Sequence, residues 1–249
     1  MLWAVLWLLA PLNLLAQDAP APAAAARKVT FGVESDLLAR YVWHGLAFSE
    51  GPVKQSYAWI AVGNFSAYAG GNLVLSNEPQ QGEFNEVDVG VAYTHEWKRL
   101  RVEPSFDAYL SRPPAFVRVP TTGEAAVKLS YPVGRLRAFT THTFDVVAYR
   151  GAYFGQAGGS YEGALRKTLT LGSSVALGWA SVKFNEVYLG PRERAWNVLE
   201  AQVSLTYAPN KHLYLRPHFD FSRVLAKPLR QQLTAPTFGN FGVAVGVNF

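Results

Sequence analysis

The chain has 249 residues, no cysteine, a formal net charge of +5 and a mean hydropathy of +0.04. Without cysteine there is neither a disulfide framework nor a thiolate metal site. Aromatics reach 14% while charged residues fall to 16%, against roughly 25% charged in soluble domains, and no Lys/Arg-rich run supports nucleic-acid binding despite a pI of about 9.4.

The chain opens on MLWAVLWLLAPLNLLA, apolar apart from Asn13 and interrupted by Pro11. It is shorter than the roughly 20 residues of a spanning helix and suits a cleaved secretory signal over 1–16, although no Lys or Arg precedes Arg27. A Pro/Ala-rich linker is expected over 17–27 and a single β domain over 28–249. No later apolar run is long enough for a helical span.

From Lys28 the sequence alternates with period 2. The pattern predicts twelve strands, at 28–43, 54–63, 65–76, 84–97, 100–111, 123–131, 136–148, 153–165, 169–183, 196–207, 212–223 and 238–249. Short turns at 63–65, 97–99, 132–135, 166–168 and 208–211 alternate with longer loops at 44–53, 77–83, 112–122, 184–195 and 224–237. Only the connection near Tyr149–Ala152 is short where a long one is due. Loop length segregated by end is the layout of a transmembrane antiparallel up-and-down β-barrel. The fold class is therefore all-β, a barrel of about twelve strands whose two termini share the end with the short turns.

Each strand separates an apolar from a polar face. In LRVEPSFDAYL, Leu100, Val102, Pro104, Phe106, Ala108 and Leu110 oppose Arg101, Glu103, Ser105, Asp107 and Tyr109. In HLYLRPHFDFS, Leu213, Leu215, Pro217, Phe219 and Phe221 oppose His212, Tyr214, Arg216, His218, Asp220 and Ser222. Tyr93, Trp97, Tyr131, Trp179, Tyr207 and Phe249 lie on the apolar face near strand ends, where interfacial girdles form. Pro104 and Pro217 each remove a ladder donor, so a local bulge is expected at both. His95 and His142 point outward by parity, which is more readily explained by a register shift than by histidine in lipid.

The last segment, FGNFGVAVGVNF, places Phe241, Val243, Val245, Val247 and Phe249 on one face and Asn240, Gly242, Ala244, Gly246 and Asn248 on the other. The outward set is expected to act as the signal read by the outer-membrane assembly machinery. The small inward set is expected to leave lumen space beside the charged strand before it.

By parity the inner face receives twelve acidic residues (Glu34, Asp36, Glu86, Asp88, Glu96, Glu103, Asp107, Glu124, Asp145, Glu162, Glu200, Asp220), six basic ones (Arg40, Arg101, Lys128, Arg137, Arg166, Arg216) and His218. These are the candidate pore-lining groups. Two readings stay open: a packed plug of ion pairs, or an aqueous pore leaning towards cations. The excess positive charge then falls in the outer loops, where Arg112, Arg118, Arg150, Arg192, Arg194, Arg223, Lys227 and Arg230 suit lipopolysaccharide phosphates. His142 and His218 have no evident serine partner for a hydrolase. Glu86/Asp88 and His218/Asp220 are only two-ligand fragments, so no metal or cofactor is expected.

The segment ESDLLARYVWHGLAFSEGPVKQ, 34–55, resembles the first hairpin of TorF-like putative porins and related outer-membrane barrels at Ser35, Asp36, Tyr41, Trp43, Gly45, Ser49, Gly51, Pro52 and Gln55. His44 stands where that pattern has arginine, and residues 37–39 lengthen the run. The resemblance implies an outer-membrane barrel serving as a pore. The expected function is thus passive diffusion of small polar or ionic solutes. The alternatives are a non-conducting barrel acting through its outer loops, and a lipid-modifying enzyme.

Overall fold

The computed structural model describes residues 29–49, 51–76, 81–111 and 120–249. The expected signal and linker lie outside these residues, as do Arg112 and Arg118. In chain order the elements are β1 (Val29–Leu38), β2 (Val42–Trp43), β3 (Leu46–Ala47), β4 (Val53–Val62), β5 (Phe65–Val74), β6 (Phe84–Tyr93), β7 (His95–Trp97) and β8 (Leu100–Ser111). There follow β9 (Thr122–Val133), β10 (Leu136–Asp145), β11 (Tyr153–Arg166), β12 (Leu169–Ala180), helix α1 (Val182–Tyr188), β13 (Ala195–Tyr207), β14 (Leu213–Val224), helix α2 (Lys227–Arg230) and β15 (Thr237–Asn248).

Setting aside the small β2–β3 hairpin, each strand pairs antiparallel with its neighbours, and β1 pairs with β15 so that the sheet closes. β7 continues β6 past Thr94, which makes twelve staves. Closure leaves no row of unpaired N–H and C=O groups, the condition for a sheet to stand in lipid. The seam is tight. Phe249 N donates to Phe31 O at 2.8 Å, Phe31 N donates back at 3.3 Å, and the two rings stack with centroids 5.2 Å apart.

The alternation in the sequence becomes two surfaces. Phe31, Val33, Ile60, Val91, Val175, Phe219, Phe241 and Val245 stand on the exposed outer face. Their alternates, including Glu34, Asp88, Asp107, Glu124, Arg216 and Asp220, are buried within. Trp97, Tyr131, Tyr207 and Phe249 ring the end with the short turns, and Phe144 and Trp196 stand exposed towards the other end. An apolar belt between aromatic girdles, on a sheet without edges, places the chain in the bacterial outer membrane.

Three expectations are corrected. The first strand does not run to 43; β1 stops at Leu38. There Asn240 replaces the ladder, its Oδ1 accepting from Arg40 N at 3.0 Å and its Nδ2 donating to Arg40 O at 3.3 Å. Neither proline lies at a bulge. Pro104 pairs in register with Val127, and Pro217 with Val243. On the other side of each, the ladder merely lapses and resumes in the same register: Ala92↔Ser105 then His95↔Val102, and Ser204↔His218 then Tyr207↔Leu215. The missing N–H costs local bonds and separates β6 from β7 without moving either strand. Bulges occur elsewhere, at Asn72/Leu73, Ala164/Arg166 and Gly178/Trp179. Finally, the register is regular across His142, from Thr141↔Lys128 to Thr143↔Ala126, so that side chain does face outward.

Candidate functional site in the barrel lumen

The first outer connection does not stand in solvent. Val42–Trp43 pairs with Leu46–Ala47 through a two-residue turn in which His44 and Gly45 have φ of 47° and 71°. Two consecutive positive φ values are the signature of the tight hairpin turn, and glycine in the second place removes most of its strain. Tyr41 N donates to Ser49 Oγ at 2.7 Å and Phe48 N to Tyr41 O at 2.8 Å, which closes the loop at its base. The hairpin turns into the barrel. His44 Nε2 lies 3.2 Å from Glu124 Oε1 on β9. Gly45 O accepts from Ser222 Oγ on β14 at 2.6 Å, and Tyr41 OH donates to Glu86 on β6. Burial, reinforced by Glu86 and Asp88, pushes the Tyr41 hydroxyl well above its ordinary pKa, so it stays protonated and donating.

An apolar cap holds this hairpin. Trp43 packs with Ala152, Phe154, Ala180, Phe184 and Val198, and Leu46 packs with Leu189, Val224 and Leu229. The connections expected as longer loops at 184–195 and 224–237 thus carry helices whose Phe184 and Leu229 pack into this cap, and α1 starts at Val182, because the strand expected to reach 183 ends at Ala180. Ser181 starts α1, its Oγ accepting from Phe184 N at 3.2 Å, and Asn185 exchanges amide bonds with Asn197, the residue inserted at the β13 bulge. Each helix is only seven or four residues long, too short for periodicity to reveal. Of the expected basic rim, Arg150, Arg192, Arg194, Arg223 and Lys227 are exposed, Arg230 is half-buried, and Arg192 lies 3.4 Å from Glu186.

Below the hairpin the inner face is a bonded network. Arg216 reaches both oxygens of Glu34, at 2.9 and 2.8 Å. His218 bridges Asp36 at 3.0 Å and Asp220 at 3.1 Å, while Gln202 donates to Asp220 at 2.7 Å. Arg101 donates to Glu103 at 2.9 Å and Gln156 donates to Glu200. Lys128 Nζ stands 5.3 Å from the centre of the Phe139 ring, and Arg137 is half-buried at the end with the short turns. Asp145 sits at the other end of β10, accepting from Thr122 and from the backbone N–H groups of Val147 and Tyr149. Arg40 is displaced from the expected inner face; it lies past the end of β1, stacked over Phe238 at 5.5 Å. Glu96, Glu162 and Arg166 are exposed at the end with the short turns.

Two features of the network escape a reading by charge alone. First, five inward carboxylates accept from tyrosine: Glu34 from Tyr214, Glu86 from Tyr41, Asp88 from Tyr57, Asp107 from Tyr68 and Glu124 from Tyr109. Strand parity already put Tyr109 and Tyr214 inside, whereas Tyr41 has the outward parity of the first strand and reaches Glu86 only because that strand ends at Leu38; all the partners depend on register. Second, charge is graded along the axis. Asp36, Glu86, Asp88, Asp107, Glu124, Asp145, Glu200 and Asp220 fall towards the outer ends of their strands, whereas the end with the short turns is mixed, with Glu96, Glu103 and Glu162 beside Arg101, Arg137, Arg166 and Arg216.

β15 sets Phe241, Val243, Val245, Val247 and Phe249 on the outer face, as parity requires. Its inward Gly242 and Gly246 do not leave open lumen, contrary to expectation. A Cβ on Gly242 would meet His218 Nε2 at 2.2 Å, and one on Gly246 would meet the Tyr214 ring at 2.1 Å. The glycines make room for side chains of β14, which lie across them.

On the outer face, His142 Nδ1 lies 2.8 Å from the Tyr153 hydroxyl, Trp179 Nε1 donates to that hydroxyl at 3.0 Å, and Thr140 Oγ1 lies 3.3 Å from His142 Nε2. The imidazole is tolerated because its neighbours satisfy it within the outer girdle.

Neither the comparison with protein-family models nor that with curated proteins gives a match. Solved structures do match in fold. The NanC porin superposes with a TM-score of 0.53 at 14% identity, over 88% of this chain and 98% of that one. The KdgM porin in complex with disordered oligogalacturonate gives 0.50 at 12% identity, again over 88% and 98%. The closed twelve-stave barrel is therefore an outer-membrane fold shared with porins of very different sequence.

Proposed function

We propose that the protein is an outer-membrane channel for passive diffusion of small polar or ionic solutes, narrowed by its own first hairpin. The observation that carries this reading is the inner face: below the apolar cap around Trp43 and Leu46 it is lined by ionic and polar groups, from Arg101 at one end through Glu34, Arg216 and His218 to Glu124 beneath the hairpin, on a barrel whose outer face is apolar. A barrel with a structural lumen alone could fill it with aliphatic side chains at less desolvation cost. The resemblance of 34–55 to TorF-like putative porins agrees, and its residues have work here: Asp36 holds His218, Tyr41 holds Glu86, Gly45 makes the turn and Ser49 closes the loop. Exposed Arg150, Arg192 and Arg194 would face lipopolysaccharide phosphates, and the outward set ending in Phe249 would be what the assembly machinery reads. Full chain refolded into planar bilayers should give discrete conductance steps; none at any voltage or salt would remove the channel.

A second reading, a non-conducting barrel acting through its outer loops, is favoured by the burial of His44 and Trp43 inside the mouth. It predicts silent bilayers and a phenotype on altering 224–237.

A further inference from the structure

We propose that the lipid-facing side of β10, β11, β12 and β13 holds a binding site for one lipopolysaccharide molecule. Its lipid A phosphates lie on Arg150 and Lys183, and its acyl chains lie against a shelf of aromatic rings beneath them. The inference rests on the outer-membrane placement and on the basic rim, not on conduction.

The shelf is continuous. Phe144, Tyr153, His142, Trp179 and Trp196 follow one another across the four staves, with successive ring centroids 4.8, 6.1, 6.1 and 5.7 Å apart. Its end members are bare: Phe144 is 45% exposed and Trp196 57%. The polar atoms inside it serve one another. Thr140 Oγ1 donates to Gln156 O at 2.9 Å, so towards His142 Nε2 it accepts. His142 Nδ1 then accepts from the Tyr153 hydroxyl, which accepts from Trp179 Nε1. Each donor in the chain has its acceptor, and the bonds hold the rings as a preorganised surface. Further from the outer end the outward residues of β10 and β11 shrink to Ala138, Ala157 and Gly159, and a Cβ built on Gly159 meets nothing within 4 Å. Side chains this small leave a shallow depression for acyl chains below the rings.

Cations stand above the shelf. Arg150 lies in the turn between β10 and β11, just before Tyr153, and Lys183 lies in the first turn of α1, just after β12. Lys183 Nζ donates to Arg150 O, and Arg150 Nε donates to Val146 O at 3.3 Å, so both charges are tethered to the same turn. Arg194 leads into β13 beside Trp196. All three are exposed. Among the described residues none of them has a carboxylate within ion-pair distance, whereas Arg192 has Glu186 at 3.4 Å. Aromatic girdles alone anchor any barrel; what is particular here is that unneutralised cations overhang a fixed ring shelf and a depression. Phosphate takes two parallel N–H bonds from a guanidinium and a point charge from an ammonium. Lipid A carries its phosphates directly over a cluster of acyl chains, so cations and shelf match the two halves of one molecule.

The test titrates the full chain, refolded in detergent, with hexa-acyl lipid A bearing both phosphates, and reads bound lipid by native mass spectrometry. Binding should saturate, and should be about tenfold tighter than that of dephosphorylated lipid A or of phosphatidylglycerol. Arg150→Gln/Lys183→Gln should weaken it about tenfold, and Trp196→Ala should weaken it several-fold. Lys54→Gln, which removes an exposed cation at the outer end of β4, should leave it unchanged. Should the double variant fail to refold, Trp196→Ala and the dephosphorylated lipid carry the test. Absent binding, phosphatidylglycerol binding as an equal, or an affinity unchanged in the Arg150/Lys183 and Trp196 variants overturns the proposal. Binding to a barrel that stays silent in bilayers would sustain the site and sink the channel; conductance without binding would do the reverse.

Discussion

His44 Nε2 stands 3.2 Å from Glu124 Oε1, across 80 residues of sequence and from one side of the barrel mouth to an opposing stave. The contact exists because a turn with φ of 47° and 71° aims the tip inward and Trp43 anchors it in the apolar cap. Trp43→Ala should cost about 3–5 kcal/mol in urea unfolding of the refolded barrel and should expose 39–49 to protease. An unchanged unfolding midpoint would show that the hairpin is not held there. A double-mutant cycle of His44→Ala with Glu124→Gln should give a coupling of about 1 kcal/mol.

Val245 faces lipid and Ala244 faces the lumen at 0% exposure. Val245→Arg should destabilise by about 2–4 kcal/mol if near the bilayer midplane, and by about 1 or less near an interface. Equal tolerance of Val245→Arg and Val245→Leu in refolding titrations would contradict the outward assignment of β15.

Gly246 lies under the Tyr214 ring, with 2.1 Å between that ring and a built Cβ. Gly246→Ala should therefore cost about 1–3 kcal/mol as an overpacked contact. Tyr214→Ala should remove most of the penalty in the double variant. Additive losses would show that the ring does not rest on the glycine.

Tyr153→Phe should strand Trp179 Nε1 and His142 Nδ1, which lie 3.0 and 2.8 Å from its hydroxyl. A loss of about 1–3 kcal/mol is expected for unsatisfied groups away from water. Adding His142→Phe should recover part of it. No loss in the single variant would mean that lipid headgroups or water replace the hydroxyl.

The barrel was legible because strand period, loop-length parity and end aromatics all report the same closed sheet. Twelve staves and the outward set of β15 follow from that agreement. What was not legible depended on register or on single side chains. Tyr41 and Trp43 continue the alternation of Phe31, Val33 and Leu37, so the strand end at Leu38, fixed by Asn240 some 200 residues away, could not be placed. The His44–Gly45 turn did leave a signal, glycine after a residue tolerant of positive φ with Val42 and Leu46 flanking it. α1 hides because Val182–Tyr188 is one short amphipathic stretch after a strand. Pro104 and Pro217 suggested bulges because a missing donor looks the same in sequence whether the ladder shifts or lapses. His142 suggested a shift because Tyr153 and Trp179 meet it only once β10, β11 and β12 are in register. The tyrosine–carboxylate pairs are invisible for the same reason.

The most direct measurement is single-channel recording of the refolded full chain beside a variant in which residues 40–50 are replaced by a short Asn-Gly turn. The account predicts discrete conductance steps for the full chain and larger steps for the variant, because the hairpin carrying Trp43 and His44 narrows the lumen. Silence from both barrels, with each shown to be folded by heat-modifiable gel mobility and circular dichroism, would contradict it.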